Sequence, residues 1–326
     1  MPEVRVHSCA YRHLVDIDPA AKSDGNRLTQ QMELGVARAI RALDSTDRPT
    51  LNFTPLHKGN ISFIFSALRA THTNIRKMLG AAWEQPGGVD SLALARLQLE
   101  GLYTLSLMFE SPANVDIYLR DGWRQMYIDF LLQREETQGL DRFQGFLTTQ
   151  GPTSLEAQRH LLGITVAEKA TIEHDEIGTP LPPGVRPIRI PRFPTPGRVV
   201  NRLPQGDRRR CLERLYPEYR TLCTFAHGLA GSNVLKQMFN KGTSIQIRDC
   251  WSDAQITDAF QREVAEKSFV LSLLAVNQAV AELTTIYPND VELRVASVQA
   301  WQEIERGTLL GKTVWQLRTK TLLGVM

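Results

Sequence analysis

Residues 93–109 read A-L-A-R-L-Q-L-E-G-L-Y-T-L-S-L-M-F. On a helical wheel, apolar side chains fall on almost every side of this stretch, which marks a helix buried in the middle of a bundle. Two charges interrupt it, Arg96 and Glu100, with Thr104 one turn further on. A buried charge needs a partner. Arginine four residues ahead of glutamate is the weaker orientation for a pair within one helix. The stretch therefore predicts a central helix whose Arg96 or Glu100 reaches across to another helix, with Arg220 or His227 the candidate partner of Glu100.

Outward from this centre the chain reads as helix after helix. One begins after Ser23 or Asp24 and runs to about Leu43, with Met32, Val36, Ala39, Ile40 and Leu43 as its apolar stripe. A second follows Pro55 and ends before Pro86. Asp90 is placed to cap the central helix, which ends near Glu110, and Pro112 fits the first turn of a fourth that continues to about Thr137. Shorter helices are expected at 153–162 and 165–177, the latter opened by Thr165 with Glu168 three residues on. Beyond a stretch of different character come helices at 207–215, 217–227, 232–239, 252–286, 288–306 and 312–323. Short strands are expected at 4–7 and 243–248.

The different stretch is 178–204. It holds eight of the seventeen prolines, and proline lacks a backbone donor and fixes φ, so helix is not expected there. The expected fold is all-α, a bundle of about ten helices. It comprises an N-terminal arm (1–24), an N-terminal helical half (25–177), an irregular proline- and arginine-rich strap (178–204) and a C-terminal helical half (205–326). The two halves are free to share one core.

The chain has 326 residues, 42% hydrophobic and 22% charged, a globular rather than a disordered composition. The longest apolar run, 269–280, is interrupted by Ser272, Asn277 and Gln278 and falls short of the roughly 18 residues that suggest a membrane span. No basic n-region leads into an apolar segment at the start, and the four cysteines (Cys9, Cys211, Cys223, Cys250) form no CxxC pair. Reduced thiols, a cytoplasmic location and no membrane partner are the expectation.

Net charge is only +3, but it is unevenly spread. Between 186 and 210 stand Arg186, Arg189, Arg192, Arg198, Arg202, Arg208, Arg209 and Arg210 against one acid, Asp207, so the chain is acidic elsewhere. Such a strap is either a solvated linker or a contact for anions or nucleic acid. Phe193 is the one aromatic interleaved with it.

Motifs for most standard chemistries are missing: no GxxxxGK[ST], no GxGxxG, no GxSxG and no HExxH. Glu156 with His160, and the run Glu173-His174-Asp175, offer a metal two ligands each, too few for a site. No metal or cofactor is expected. One local pattern connects to chemistry. Residues 218–227 read E-Y-R-T-L-C-T-F-A-H, and at 100° per residue Arg220, Cys223, Thr224 and His227 share a stripe, with Leu222 and Phe225 opposite. Arginine matches phosphate with a planar fork, and histidine titrates near 6.5.

Arg96-x3-Glu100 in an apolar helix, followed by Tyr219-Arg220-x2-Cys223-x3-His227, resembles a bacterial all-helical family of unknown function. In that family the second motif usually reads Y-R-x-L-S-x-x-x-H. More distantly it is similar to the HEPN superfamily (higher eukaryotes and prokaryotes nucleotide-binding), whose nuclease members carry R-x4-6-H on one helix. The resemblance covers 25–140 and 205–325. The chain departs from it at Thr221, where catalytic members place Asn, Asp or His after the arginine, and at Cys223, which replaces serine. The resemblance implies metal-independent RNA cleavage in stress or phage defence, with His227 as general acid or base and Arg220 holding the scissile phosphate. It implies supporting roles for Arg96, Glu100, Tyr219, Cys223 and Thr224, RNA as partner, and a homodimer that brings two such faces together. The reading from a different class is a catalytically inactive binding or scaffold protein, with the motif a structural clasp and the arginine strap in contact with an acidic partner or nucleic acid.

Overall fold

The computed structural model describes residues 19–45, 49–84, 90–136, 150–226, 253–307 and 309–323. Among these residues there are eleven helices and no strand, so the expected all-α class holds. In chain order they are α1 (Pro19–Asp44), α2 (Pro55–Glu84), α3 (Ser91–Met108), α4 (Pro112–Glu136), α5 (Gly151–Leu161), α6 (Val166–Ile177), α7 (Pro196–Arg202), α8 (Asp207–Ala226), α9 (Asp253–Ile286), α10 (Val291–Glu305) and α11 (Leu309–Leu323). The strands expected at 4–7 and 243–248 and the helix expected at 232–239 lie outside the described residues.

Local signals explain most of the boundaries. Thr165 accepts from the Glu168 backbone while the Glu168 side chain takes the Thr165 N–H, a complete capping box, and α6 ends on Gly178 at φ 69°. Asp290 caps α10 by accepting from the Leu293 N–H. Asp90 does not cap α3. Its own backbone is already helical, so its carboxylate makes no capping bond. Two expectations fail for physical reasons. The strap is not irregular throughout, because Pro196 begins the seven-residue helix α7, where Pro196, Val199 and Val200 find a buried side. Pro217 does not separate two helices: it sits inside α8 at an exposed position, where the ring meets solvent and the cost is one hydrogen bond.

Packing divides the chain into two units, and the boundary cuts across the N-terminal half expected from the sequence. The first unit joins the residues up to Phe109 with those from Pro196 onward, and the second is Glu110–Thr195. At the centre of the first unit lies α9, 34 residues long and touching α1, α2, α3, α10 and α11. From Val264 to Leu283 almost every side chain is buried, Phe269, Leu273, Ala275 and Val276 completely. By length and composition alone the stretch Gln261–Ile286 is apolar enough to cross a bilayer, but 78% of its most apolar window is buried against the other helices, the position of a core helix. The expectation that every apolar run falls short of such a length thus misses one.

Helix α3 is the second buried element. Its side chains are buried from Ser91 through Met108 on most of its circumference, as the apolar wheel requires. It approaches α2 closely at Gly101, where a Cβ would stand 2.6 Å from Leu68 Cδ2, so no larger residue fits without movement. Most of the polar groups enclosed with it are paired, while Ser106 Oγ and Gln98 Oε1 are buried without a hydrogen-bond partner among the described residues. Ser91 donates to Ser268 (2.8 Å), Ser268 to the Val264 carbonyl (2.8 Å), Gln98 to the Leu68 carbonyl (2.7 Å) and Asn277 to the Leu273 carbonyl (2.9 Å).

The second unit packs α4, α5 and α6 around Trp123, Tyr127, Phe130, Leu131, Ile164 and Ile172. Residues 178–195 are irregular and run along the outside of these helices. Ile190 enters the same core, the Ile188 N–H donates to Thr171 (2.9 Å) and the Phe193 N–H donates to Asp121 (2.8 Å).

His72 on α2 is the one described histidine sealed in the core with both ring nitrogens engaged, at 3.1 Å from Thr29 Oγ1 and 2.8 Å from Ser272 Oγ. Burial, with the nearby Arg76 charge, pushes its pKa down to about 3. The neutral imidazole is the folded form, so its contribution to stability is complete above the unfolded value near 6.5 and is lost as pH falls from 6.5 toward 3. Chemical denaturation across this range should show wild type losing stability faster than His72→Gln, by up to about 1.4 kcal/mol per pH unit. Parallel slopes for the two proteins would contradict this account.

Candidate functional site

The two sequence motifs meet. Helix α8 runs antiparallel to α3 in the first unit. The Tyr103 hydroxyl donates to the Leu212 carbonyl (2.7 Å), and the Tyr103 and Tyr219 rings meet edge to face at 5.7 Å. Two turns further toward the start of α3, Arg96 lies close enough to Tyr219 and Cys223 for both to act on its charge. The predicted crossing from α3 to α8 is therefore made by Arg96, and its partner is Tyr219 rather than Arg220 or His227.

The amphipathicity of α8 explains this arrangement. Cys211, Leu212, Leu215, Tyr219 and Leu222 are buried, Cys223 is half-buried, and Arg220, Thr221 and Thr224 are exposed. The stripe read from the sequence is thus split: Cys223 turns toward α3, while Arg220 and Thr224 face solvent, with Thr224 donating to the Arg220 carbonyl (3.3 Å). His227 lies outside the described residues.

Charge in this cluster is held by its neighbours. Burial works to lower the Arg96 pKa, but Tyr219, Glu100 and Cys223 outweigh it and hold the guanidinium above its ordinary value. Tyr219 is pushed up to about 12, first by burial and then by Cys223 and Glu100, so its phenol stays protonated at neutral pH. Glu100 approaches Arg96 at 3.6 Å and is 40% exposed on its side chain. Its charge is already solvated, which removes the need for a partner across the interface that the apolar wheel suggested.

The eight candidate anion-binding arginines are divided between the units. In the second unit, Arg189 pairs with Asp175 at 3.0 Å, while Arg186 and Arg192 are exposed. In the first, Arg208 pairs with the buried Glu282 (3.2 Å), Arg209 with Glu213 (2.7 Å) and Arg210 with Asp207. Arg198 and Arg202 are exposed and find no partner among the described residues. The reading of the basic segment stopped at Arg210 and missed Arg214, which is exposed on α8. The available signal was the four-residue spacing of Arg198 with Arg202 and of Arg210 with Arg214, which puts each pair on one helix face.

Glu156 is taken up by Arg159 (2.6 Å), His160 (3.3 Å) and Lys169 (3.7 Å), and the Arg159 hydrogen bond holds its carboxyl below the usual range. His174 faces the Thr179 carbonyl and Asp175 pairs with Arg189, so neither acid–histidine group converges on a common point. Among the described residues no group of three or more His, Cys, Asp or Glu side chains is arranged to hold a metal. No family model, no curated protein and no solved structure matches the chain.

The Arg96–Tyr219 contact is testable by a double-mutant cycle on unfolding free energy. Arg96→Ala with Tyr219→Phe should show coupling of about 0.5–1.5 kcal/mol. Glu100→Gln should cost about 1 kcal/mol or less, because its pair is largely solvated. Zero coupling in the cycle, or a multi-kcal loss for Glu100→Gln, would show the cluster to be wired differently.

Proposed function

We propose that this chain is a helical binding protein that engages a polyanionic partner through surface arginine. The observation that supports it most is the set of exposed arginines, Arg198, Arg202 and Arg220 in one unit and Arg186 and Arg192 in the other. Arginine is weakly hydrated, always charged and forked, so an exposed group of them favours phosphate or carboxylate partners.

A second reading, the metal-independent ribonuclease implied by the HEPN-like resemblance, is favoured by one specific feature: Arg220 and Thr224 face solvent on α8, where a phosphodiester has access. In that reading Arg220 clamps the phosphate and His227 moves the proton.

One preparation separates the two. On the binding reading, the purified protein is retained on a heparin column at about 0.1 M salt and released as salt rises, because the contact is electrostatic. RNA incubated with wild type or with His227→Ala in EDTA stays equally intact. Passage through heparin at low salt would end the binding reading. Cleavage that falls about a hundredfold in His227→Ala would establish the ribonuclease instead.

A further inference from the structure

Helices α7 and α8 form a hairpin. The Arg209 guanidinium reaches the Leu203 carbonyl at one end, and at the other Gly197 lies so near Tyr216 that a Cβ there would stand 2.6 Å from the hydroxyl oxygen. The two helices are therefore antiparallel, and both rest on α3. Their inward sides are Val199, Val200, Leu212 and Leu215. Their outward sides carry Arg198 and Arg202 one turn apart on α7, and Arg210, Arg214 and Arg220 along α8, all exposed. Over 196–226 there are seven arginines and no lysine against Asp207, Glu213 and Glu218, and Glu218 is paired with Lys267 at 2.8 Å. The basic surface is thus a folded helical face and not a flexible strap.

We infer that the outward side of this hairpin docks a nucleic-acid duplex through its phosphates. The inference rests on the polyanion-binding reading above and names its surface and partner. Charge complementarity supplies the attraction, and arginine forks match phosphate oxygens in pairs. The neighbours of the arginines decide between partners. Asn201 and Gln205 are exposed beside them, the amide donors that contact phosphate and sugar alongside arginine. A protein partner would be anchored by aromatic and apolar side chains at the centre of the patch, and a single strand by rings on which its bases stack. The two tyrosines of α8 serve neither purpose: Tyr219 is buried against Tyr103, and Tyr216 is turned to Gly197. Contact through phosphates carries no base information, so duplex RNA and duplex DNA are held alike, without sequence preference.

The test is fluorescence anisotropy with labelled duplexes of about 20 base pairs, RNA and DNA, titrated at several salt concentrations, with polyglutamate and a single strand of the same length as comparisons. Wild type should bind both duplexes with a log–log salt slope of about −3 to −4, the slope for three or four neutralised phosphates. The double variant Arg198→Gln/Arg202→Gln should lose about tenfold or more in affinity and flatten the slope by about 2, with an unchanged melting temperature. Arg294→Gln, exposed on α10 and away from the hairpin, should bind as wild type does. Duplex binding that the hairpin variant leaves intact would overturn the inference while sparing the reading beneath it. Tighter binding of polyglutamate or of the single strand, lost in the hairpin variant, would assign the face to another partner and also overturn it. No binding to duplex, single strand, polyglutamate or heparin would sink both.

Discussion

The burial of α9 is the constraint on which the first unit depends. A helix apolar on all sides cannot lie on a surface, since each fully buried Leu, Val, Ile or Phe side chain is worth about 1.5–3 kcal/mol relative to exposure. Enclosing it takes neighbours all the way round, and α1, α2, α3, α10 and α11 supply them. Those neighbours come from both ends of the chain, which is why the first unit is discontinuous and residues 110–195 form a separate insertion. The polar side chains carried into this centre, Ser268, Ser272 and Asn277, are each bonded to a carbonyl or a neighbouring side chain, so the enclosure leaves them satisfied.

The same constraint organises the surface that bears on function. Helix α3 is held against α9 on one side and receives α7 and α8 on another. Their apolar stripes are spent on α3, and what remains for solvent is mainly arginine, with threonine, asparagine, glutamine, two prolines and the acids Asp207 and Glu213. Arg96 lies at this junction: it leaves an apolar helix, comes close to Tyr219 and is steadied by Glu100, which itself faces water. In this arrangement Tyr219 and Cys223 support the clasp between α3 and α8, while Arg220 remains on the outside.

Much of the fold was legible because helix periodicity and capping act locally. The apolar wheel of 93–109, the Thr165–Glu168 box and the proline starts at Pro55 and Pro112 each correspond to a helix at nearly the expected limits. What failed was settled by tertiary contact. Pro196 opens a helix because Val199 and Val200 have a partner surface, and Pro217 is tolerated because it faces solvent. The grouping into units was hidden for the same reason, since nothing local in the sequence says that 196–323 packs with 19–109 and not with 110–195. For the candidate site, the stripe geometry of α8 was readable, and so was the need of α3 for a partner. Which arginines are spent in ion pairs was not, because Glu282 and Arg208 are far apart in sequence and meet only when α8 folds back on α9.

The central claim, that an enclosed α9 holds the first unit together, is tested most directly by native-state hydrogen exchange resolved to short peptides. Amides of residues 264–283 should be among the slowest in the protein and should exchange only through global unfolding of that unit, with those of α3 close behind. The irregular stretch 178–195 should exchange orders of magnitude sooner. Exchange of 264–283 on the timescale of that exposed stretch, in protein that is still folded, would contradict the account.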